Sequence, residues 1–290
     1  MTQPISKRYL VVGLAAVAAM PAFAETQPSI ERLTRAARGG DKVAMYQLGL
    51  RYLHGDGVTQ DARAALVWFR STVYGPNVKD SGYAPAEAEL AIATAAGNGA
   101  PANPVDAWTW YALAATNDAQ YAPAANEMAA RLTPDELADG RYELALKLAD
   151  GVGAPADRAR ALQLFRQAAE PGFREAQHMV GFMYDKGLGT PADTAEAARW
   201  YRKAADQGYA TAQHNMGSLY ELGDGVERDV VEAWMWYYLS SRIETYFAGS
   251  YLKLQKAMTP EQIAAGRARA DAWRPTEPVR SFQALPVHAS

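Results

Sequence analysis

The chain contains no cysteine. Disulfides, thiolate metal sites and a cysteine nucleophile are thereby excluded, and the fold must hold itself together by packing. Histidine is scarce: His54, His178, His214 and His288 are all there are. No H-E-x-x-H spacing or paired acid completes a metal site around them, and His178 and His214 read as packing positions. Neither sign of charge dominates, with Lys+Arg 29 against Asp+Glu 32 and a formal net charge of -3. Without a basic excess there is no electrostatic footprint for nucleic acid. Beyond Ala24 no apolar run is long enough for a membrane span. No Ser/His/Asp or Lys/Glu constellation can be assembled from spacing, so no catalytic, metal-binding or cofactor-binding residue is nominated.

What is present is enough for a sizeable core: 290 residues, 49% of them hydrophobic, in one or two domains. At the start, Lys7 and Arg8 precede the apolar stretch Tyr9 to Met20 and the small residues Ala22 and Ala24. That order of charge, apolar core and small residues is a signal peptide. Residues 1–24 are therefore expected to be cleaved after Ala24, leaving a periplasmic protein.

The dominant feature of the remainder is a period. Gly223 and Gly225 recur 36 residues earlier as Gly187 and Gly189, and 36 earlier again as Gly151 and Gly153. Steps of 54 and 42 reach Gly97 and Gly99, then Gly55 and Gly57. The neighbours keep register with the first glycine of each pair. Seven before it stands Leu48, Leu90, Leu144, Val180 or Met216, and six before it Gly49, Ala91, Ala145, Gly181 or Gly217. Six after it stands Asp61, Asn103, Asp157, Asp193 or Asp229; ten after it is always Ala; fourteen after it is Phe69, Tyr111, Phe165, Tyr201 or Tyr237.

Each column has a physical reading. Positions -7, -6 and -3 share one face of a helix that runs up to the glycine. The glycine ends that helix in the left-handed conformation. The Asp or Asn six later caps a second helix, with Glu196 and Glu232 placed as capping-box acids. Small residues at -6 and +10 allow close helix approach, while the aromatics fill the space between repeats. A phosphate loop is a poor reading of the glycines, because the pattern occurs five times, after helices.

The unit AQHMVGFMYDKGLGTPADTAEAARWYRKAADQGYA resembles the Sel-1-like repeat, a relative of the tetratricopeptide repeat marked by LG-x-x-Y, G-x-G, D-x-x-x-A, W-Y and K-A-A. Repeats four and five match it closely, and repeat one matches well. Repeat three has Leu148 and Leu164 in place of Tyr and Trp, and repeat two has Thr94 in place of Tyr. The resemblance extends over residues 30 to 273. It implies an all-α, right-handed α-solenoid of helix–turn–helix repeats. The expected organisation is a half repeat at 25–40, five repeats with insertions and a C-terminal capping helix at 41–273, and a disordered tail at 274–290.

Repeats two and five carry a second tryptophan, Trp108 and Trp234, followed by Thr133-Pro134 and Thr259-Pro260 helix starts. The extra tryptophans are expected to pack on added helices. The Thr133-Pro134 helix should double as the first helix of repeat three, and the Thr259-Pro260 helix should close the stack.

One strip remains for function. On the first helices, positions -9, -5 and -2 lie away from the core columns. Tyr46, Leu50, Tyr142, His178, Phe182 and His214 are the partner-binding candidates there, a mixture suited to a peptide or protein segment. The resemblance implies a non-enzymatic adaptor or scaffold in the bacterial cell envelope, with protein or peptide partners and contact with the membrane only through them. Two alternatives accompany it. One is a periplasmic regulator that binds a membrane sensor protein. The other is a cell-wall-related enzyme or β-lactam-binding protein, disfavoured because this chain lacks the cysteines of the family branch credited with such binding.

Overall fold

The computed structural model describes residues 28–75, 82–276 and 278–282. The signal peptide expected at 1–24, residues 76–81 of the loop after repeat one, and residues 283–290 of the tail lie outside the described residues. The described chain is helical, with short 3₁₀ turns and no strand. Its helices are α1 (Ile30–Arg38), α2 (Lys42–His54), α3 (Ala62–Tyr74), α4 (Ala84–Ala96), α5 (Pro104–Asn117), α6 (Ala122–Ala129) and α7 (Pro134–Asp150). They continue as α8 (Arg158–Ala169), α9 (Arg174–Lys186), α10 (Thr194–Asp206), α11 (Ala210–Leu222), α12 (Val230–Ile243), α13 (Ala248–Leu254) and α14 (Pro260–Ala272). The expected all-α architecture of consecutive helix pairs is the one found.

Two compact units result. The first holds the chain to Thr133 together with Asp150–Ala156, and the second holds Pro134–Ala149 and the chain from Asp157. In the first unit α1 packs on α2, α2 on α3, α3 on α4, α4 on α5 and α5 on α6. In the second, α8 packs on α9, α9 on α10, α10 on α11, α11 on α12, and α12 on both α13 and α14.

The periodic columns build these cores. Leu48, Leu90, Leu144, Val180 and Met216 at -7 are buried, as are the alanines at +10 and the rings at +14. Each large apolar side chain removed from water contributes about 1.5–3 kcal/mol. The small residue at -6 and the ring at +14 are coupled by contact. A Cβ on Gly217 would lie 2.6 Å from Cδ1 of Tyr237, and one on Gly181 would lie 2.7 Å from Cδ1 of Tyr201. The ring therefore lies against bare backbone of its own repeat's first helix.

The turn glycines are architectural. Gly223 ends α11 at φ 79 and donates its N–H to the Leu219 carbonyl. Gly225, at φ 67, would drive a Cβ into the Thr194 carbonyl at the start of α10. A side chain there would be strained and would also push the turn off the preceding repeat.

Asp61, Asn103, Asp157, Asp193 and Asp229 all cap second helices with a side-chain oxygen. The acids expected to complete capping boxes do something else. Glu196 accepts from Trp200 Nε1 at 2.9 Å and pairs with Arg199, and Glu232 pairs with Arg269 of α14 at 2.8 Å. The reciprocal box forms at Thr259 and Gln262, which start α14.

The enlarged repeat five follows expectation. Trp234 is fully buried, stacked on Tyr238 at 4.8 Å and edge-on to Tyr251 at 5.7 Å, with Leu254, Met258 and Ile263 around it. α7 is one 17-residue helix from Pro134 that carries the buried first-helix columns Leu144 and Ala145 of repeat three.

The tail departs from expectation. Residues 274–276 and 278–282 are placed against the second unit rather than left without structure. Thr276 N–H donates to the Asp206 carbonyl at 2.7 Å, and Arg280 and Phe282 make the contacts described below. The proline-rich, aperiodic sequence of this segment excluded a helix but said nothing about an extended chain held by a groove.

Candidate functional site

All six candidate side chains are half-buried. The ring at -9 meets the ring at +14 of its own repeat: Tyr46 with Phe69 at 5.9 Å, Tyr142 with Phe165 at 5.5 Å, His178 with Tyr201 at 5.5 Å and His214 with Tyr237 at 5.0 Å. Repeat two has Ala88 in this column and makes no such pair.

A third ring completes each group. Tyr83 reaches Tyr46 at 5.4 Å, Tyr209 reaches His178 at 5.2 Å and Phe247 stacks on His214 at 4.7 Å. Tyr83 and Tyr209 each precede the next first helix, directly after Gly82 and Gly208, which adopt φ 75 and 78. The same Gly-aromatic step occurs at Gly172-Phe173, before α9. This step is visible in the sequence as GY, GF and GY, and it was the readable signal for the third ring. Centroid separations near 5 Å with tilted or edge-on geometry suit aromatic pairs. Leu50 is half-buried on α2, and Phe182 packs against the core cluster of α10–α12 while keeping part of its surface exposed.

Burial disfavours the charged form of both histidines. It lowers the His178 pKa from its usual value of 6.5 to about 4, and it lowers that of His214. His178 Nε2 lies 3.3 Å from Asn215 Nδ2, and His214 Nε2 lies 2.9 Å from Ser250 Oγ. Their partners are an amide and a hydroxyl, consistent with packing positions. Among the described residues no group of three or more His, Asp and Glu is arranged to hold a metal ion. Arg199 and Arg202 on α10 pair with Glu196 and Asp206 on their own helix and remain about half or more exposed.

A polar pair not anticipated from sequence lies behind the rings. At -10 stand Glu87, Gln177 and Gln213, all buried. At +20 stand Asn117 and Gln207. In the first unit Asn117 Nδ2 donates to both oxygens of Glu87, at 3.1 and 2.9 Å, and to the Gly153 carbonyl at 2.6 Å. Burial raises the Glu87 carboxyl from 4.5 to about 7, against the lowering effect of Asn117, the Tyr83 N–H and Lys42. In the second unit Gln207 Nε2 donates to Gln177 Oε1 at 2.9 Å and to the Gly172 carbonyl at 2.7 Å. Polar groups so satisfied tie the end of a repeat's second helix to its first. Among the described residues no helix is long and apolar enough to cross a membrane.

The fold and these sites define a stack of helix–turn–helix repeats with aromatic groups at its inter-repeat junctions. A family model, Sel1 repeat, matches residues 42–72, 84–118, 138–172, 174–209 and 210–242. The chain belongs to the Sel1 repeat family, whose members are typically non-catalytic, protein-binding scaffolds. Solved structures with a similar fold include c5321, a protective antigen of uropathogenic Escherichia coli with an SLR fold. It is 23% identical at a TM-score of 0.45, over 90% of this chain and 61% of that one. A Sel1 repeat protein from Oxalobacter formigenes is 22% identical at a TM-score of 0.44, over 84% of this chain and 97% of its own. This chain thus spans 61% of the length of the Escherichia coli antigen. No curated protein matches the chain in sequence.

Proposed function

We propose that this chain is a non-enzymatic adaptor of the bacterial cell envelope, exported to the periplasm, that binds protein or peptide segments on its first-helix face. The observation that carries the reading is the recurring half-buried ring at -9. Tyr46 in the first unit and Tyr142, His178 and His214 in the second repeat one amphipathic position, which Ala88 interrupts in repeat two. Such rings give large contact area at small entropic cost, which suits them to partner capture. Phe182 and Leu50 extend the apolar part of the strip. The export step rests on Lys7, Arg8, the apolar stretch Tyr9 to Met20, and Ala22 and Ala24.

The test is a photo-crosslinking residue at position 182, compared with one at position 199 on the outer side of α10. A discrete adduct from position 182, released with the periplasmic contents, is the expected result. Equal adducts from both positions would remove the strip as the binding face. Retention of the chain in the cytoplasm with its first 24 residues intact would remove the envelope assignment.

A further inference from the structure

One ring junction differs from the others. At the step from repeat three to repeat four, the ring at -9 is Tyr142 and the ring after the glycine is Phe173. Here a residue distant in sequence bridges them. Phe282 lies 4.8 Å from Tyr142 and stacks on Phe173 at 4.2 Å and 14°. At the next junction, His178 and Tyr209 meet directly at 5.2 Å with no inserted ring.

The backbone around Phe282 is held as an extended peptide would be. The Arg174 N–H donates to the Arg280 carbonyl at 3.0 Å, and the Arg280 N–H donates to Gln207 Oε1 at 2.8 Å. The Phe282 N–H donates to Glu175 Oε2 at 3.3 Å, and the Ser281 hydroxyl donates to Oε1 of the same carboxylate. The Arg280 side chain has its own seat. Its Nη1 donates to the Pro171 carbonyl at 2.7 Å, its Nη2 pairs with Asp135, and its guanidinium lies 5.0 Å from the centre of the Phe173 ring. Gly172, at φ 103, leads into that seat in a backbone conformation that L side chains rarely adopt.

Main-chain bonds from Arg174, Gln207 and Glu175 supply affinity without regard to sequence, while two side-chain seats supply selectivity. One seat is acidic and carbonyl-lined, and the other is an aromatic slot, two residues apart along the bound chain. From this geometry we propose that the cradle formed by α7, the Pro171–Glu175 turn and Gln207 is a binding site for an extended peptide of a partner protein carrying Arg-x-Phe. The chain's own Arg280-Ser281-Phe282 is its built-in competitor. The inference rests on the protein-binding reading above and locates one site within it. Arg280, Ser281 and Phe282 are only half-buried, so the tail can leave without opening the core. A tethered segment acts at millimolar effective concentration, so it screens out weak ligands and yields to tight or multivalent ones.

The test uses the full chain and a fluorescently labelled copy of residues 278–282. Arg280→Ala/Phe282→Ala empties both seats from the protein side. The peptide should bind this variant at least tenfold more tightly than it binds the wild type. A peptide with Phe replaced by Ala should bind neither protein. Adding Glu175→Gln to the emptied protein should reduce binding again, with helicity unchanged by circular dichroism. Equal affinity for wild type and emptied variant, or binding by neither, overturns the proposal. If neither binds while position 182 still yields its periplasmic adduct, the adaptor reading survives and the cradle assignment falls. Concentration-dependent self-association of the wild type that the double substitution abolishes would assign the cradle to a second copy's tail, and would also overturn it.

Discussion

The two units solve one structural problem with different chemistry. Both place a polar pair at -10 and +20, and in both the -10 member is buried. The first unit uses an acid and an amide, Glu87 with Asn117, and the second uses two amides, Gln177 with Gln207. Asn117 engages both carboxylate oxygens, so that pair is closed. Gln207 spends its N–H groups on Gln177 and Gly172 and has a carbonyl oxygen left, which the tail occupies through the Arg280 N–H. The pair thus changes from a locked acid to one with an open acceptor, and the junction in front of it changes from a closed ring pair to a slot with a guest.

Removing the extra tryptophans should disturb the comparison most. Trp234→Ala in the second unit should cost about 3–5 kcal/mol, because the ring is wholly enclosed by α12–α14. Trp108→Ala in the first unit should cost somewhat less, as Trp108 keeps 8% of its surface exposed. Denaturant titration of both variants measures the order, and an unchanged midpoint for either would show that its ring is not a core element.

Acidity should separate the units next. Glu87 has a higher pKa folded than unfolded, so the folded form binds more protons between about pH 4.5 and 7. Its contribution is present below that window and is lost as pH rises through it, at up to about 1.4 kcal/mol per pH unit. His178 runs the other way. Its folded pKa of about 4 lies below 6.5, so its contribution is present above 6.5 and is lost as pH falls toward 4. Glu87→Gln should flatten the first dependence, and Gln177→Glu should impose it on the second unit. His178→Tyr, a side chain already used in this column at Tyr46 and Tyr142, should flatten the second dependence. Urea midpoints between pH 4 and 7 test each, and parallel profiles for wild type and variants would contradict the assignment.

The smallest expected effect is on the tail. Phe282→Ala should lower stability by less than about 1.5 kcal/mol, since it removes a half-exposed ring stack and leaves the core columns untouched. A loss comparable to Trp234→Ala would mean that the segment is part of the fold and not a guest in it.

Much of this was legible in the residues. The five glycine pairs, the caps at Asp61 to Asp229 and the core columns follow from local spacing, because helix starts and stops are decided within one turn. The start of α7 was readable from Thr133-Pro134 for the same reason. What was hidden depends on contacts across repeats. Glu196 and Glu232 stand at capping-box spacing, yet Trp200, Arg199 and Arg269 claim them, and no local rule weighs those rivals. Glu87 and Gln207 lie 30 residues from their partners, and Phe282 lies more than a hundred from Phe173. The candidate strip falls on half-buried positions, but sequence could not show that its rings meet a third ring. Nor could it show that at Tyr142 this ring comes from the tail.

The most direct measurement is the fluorine resonance of a single 4-fluorophenylalanine at position 282 of the full chain, followed as unlabelled Arg-x-Phe peptide is added. If the ring is a displaceable guest between Tyr142 and Phe173, it starts at a shift displaced by ring currents and moves to the solvent value as peptide saturates the cradle. A resonance that begins at the solvent value, or that stays in place at saturating peptide, would contradict the account.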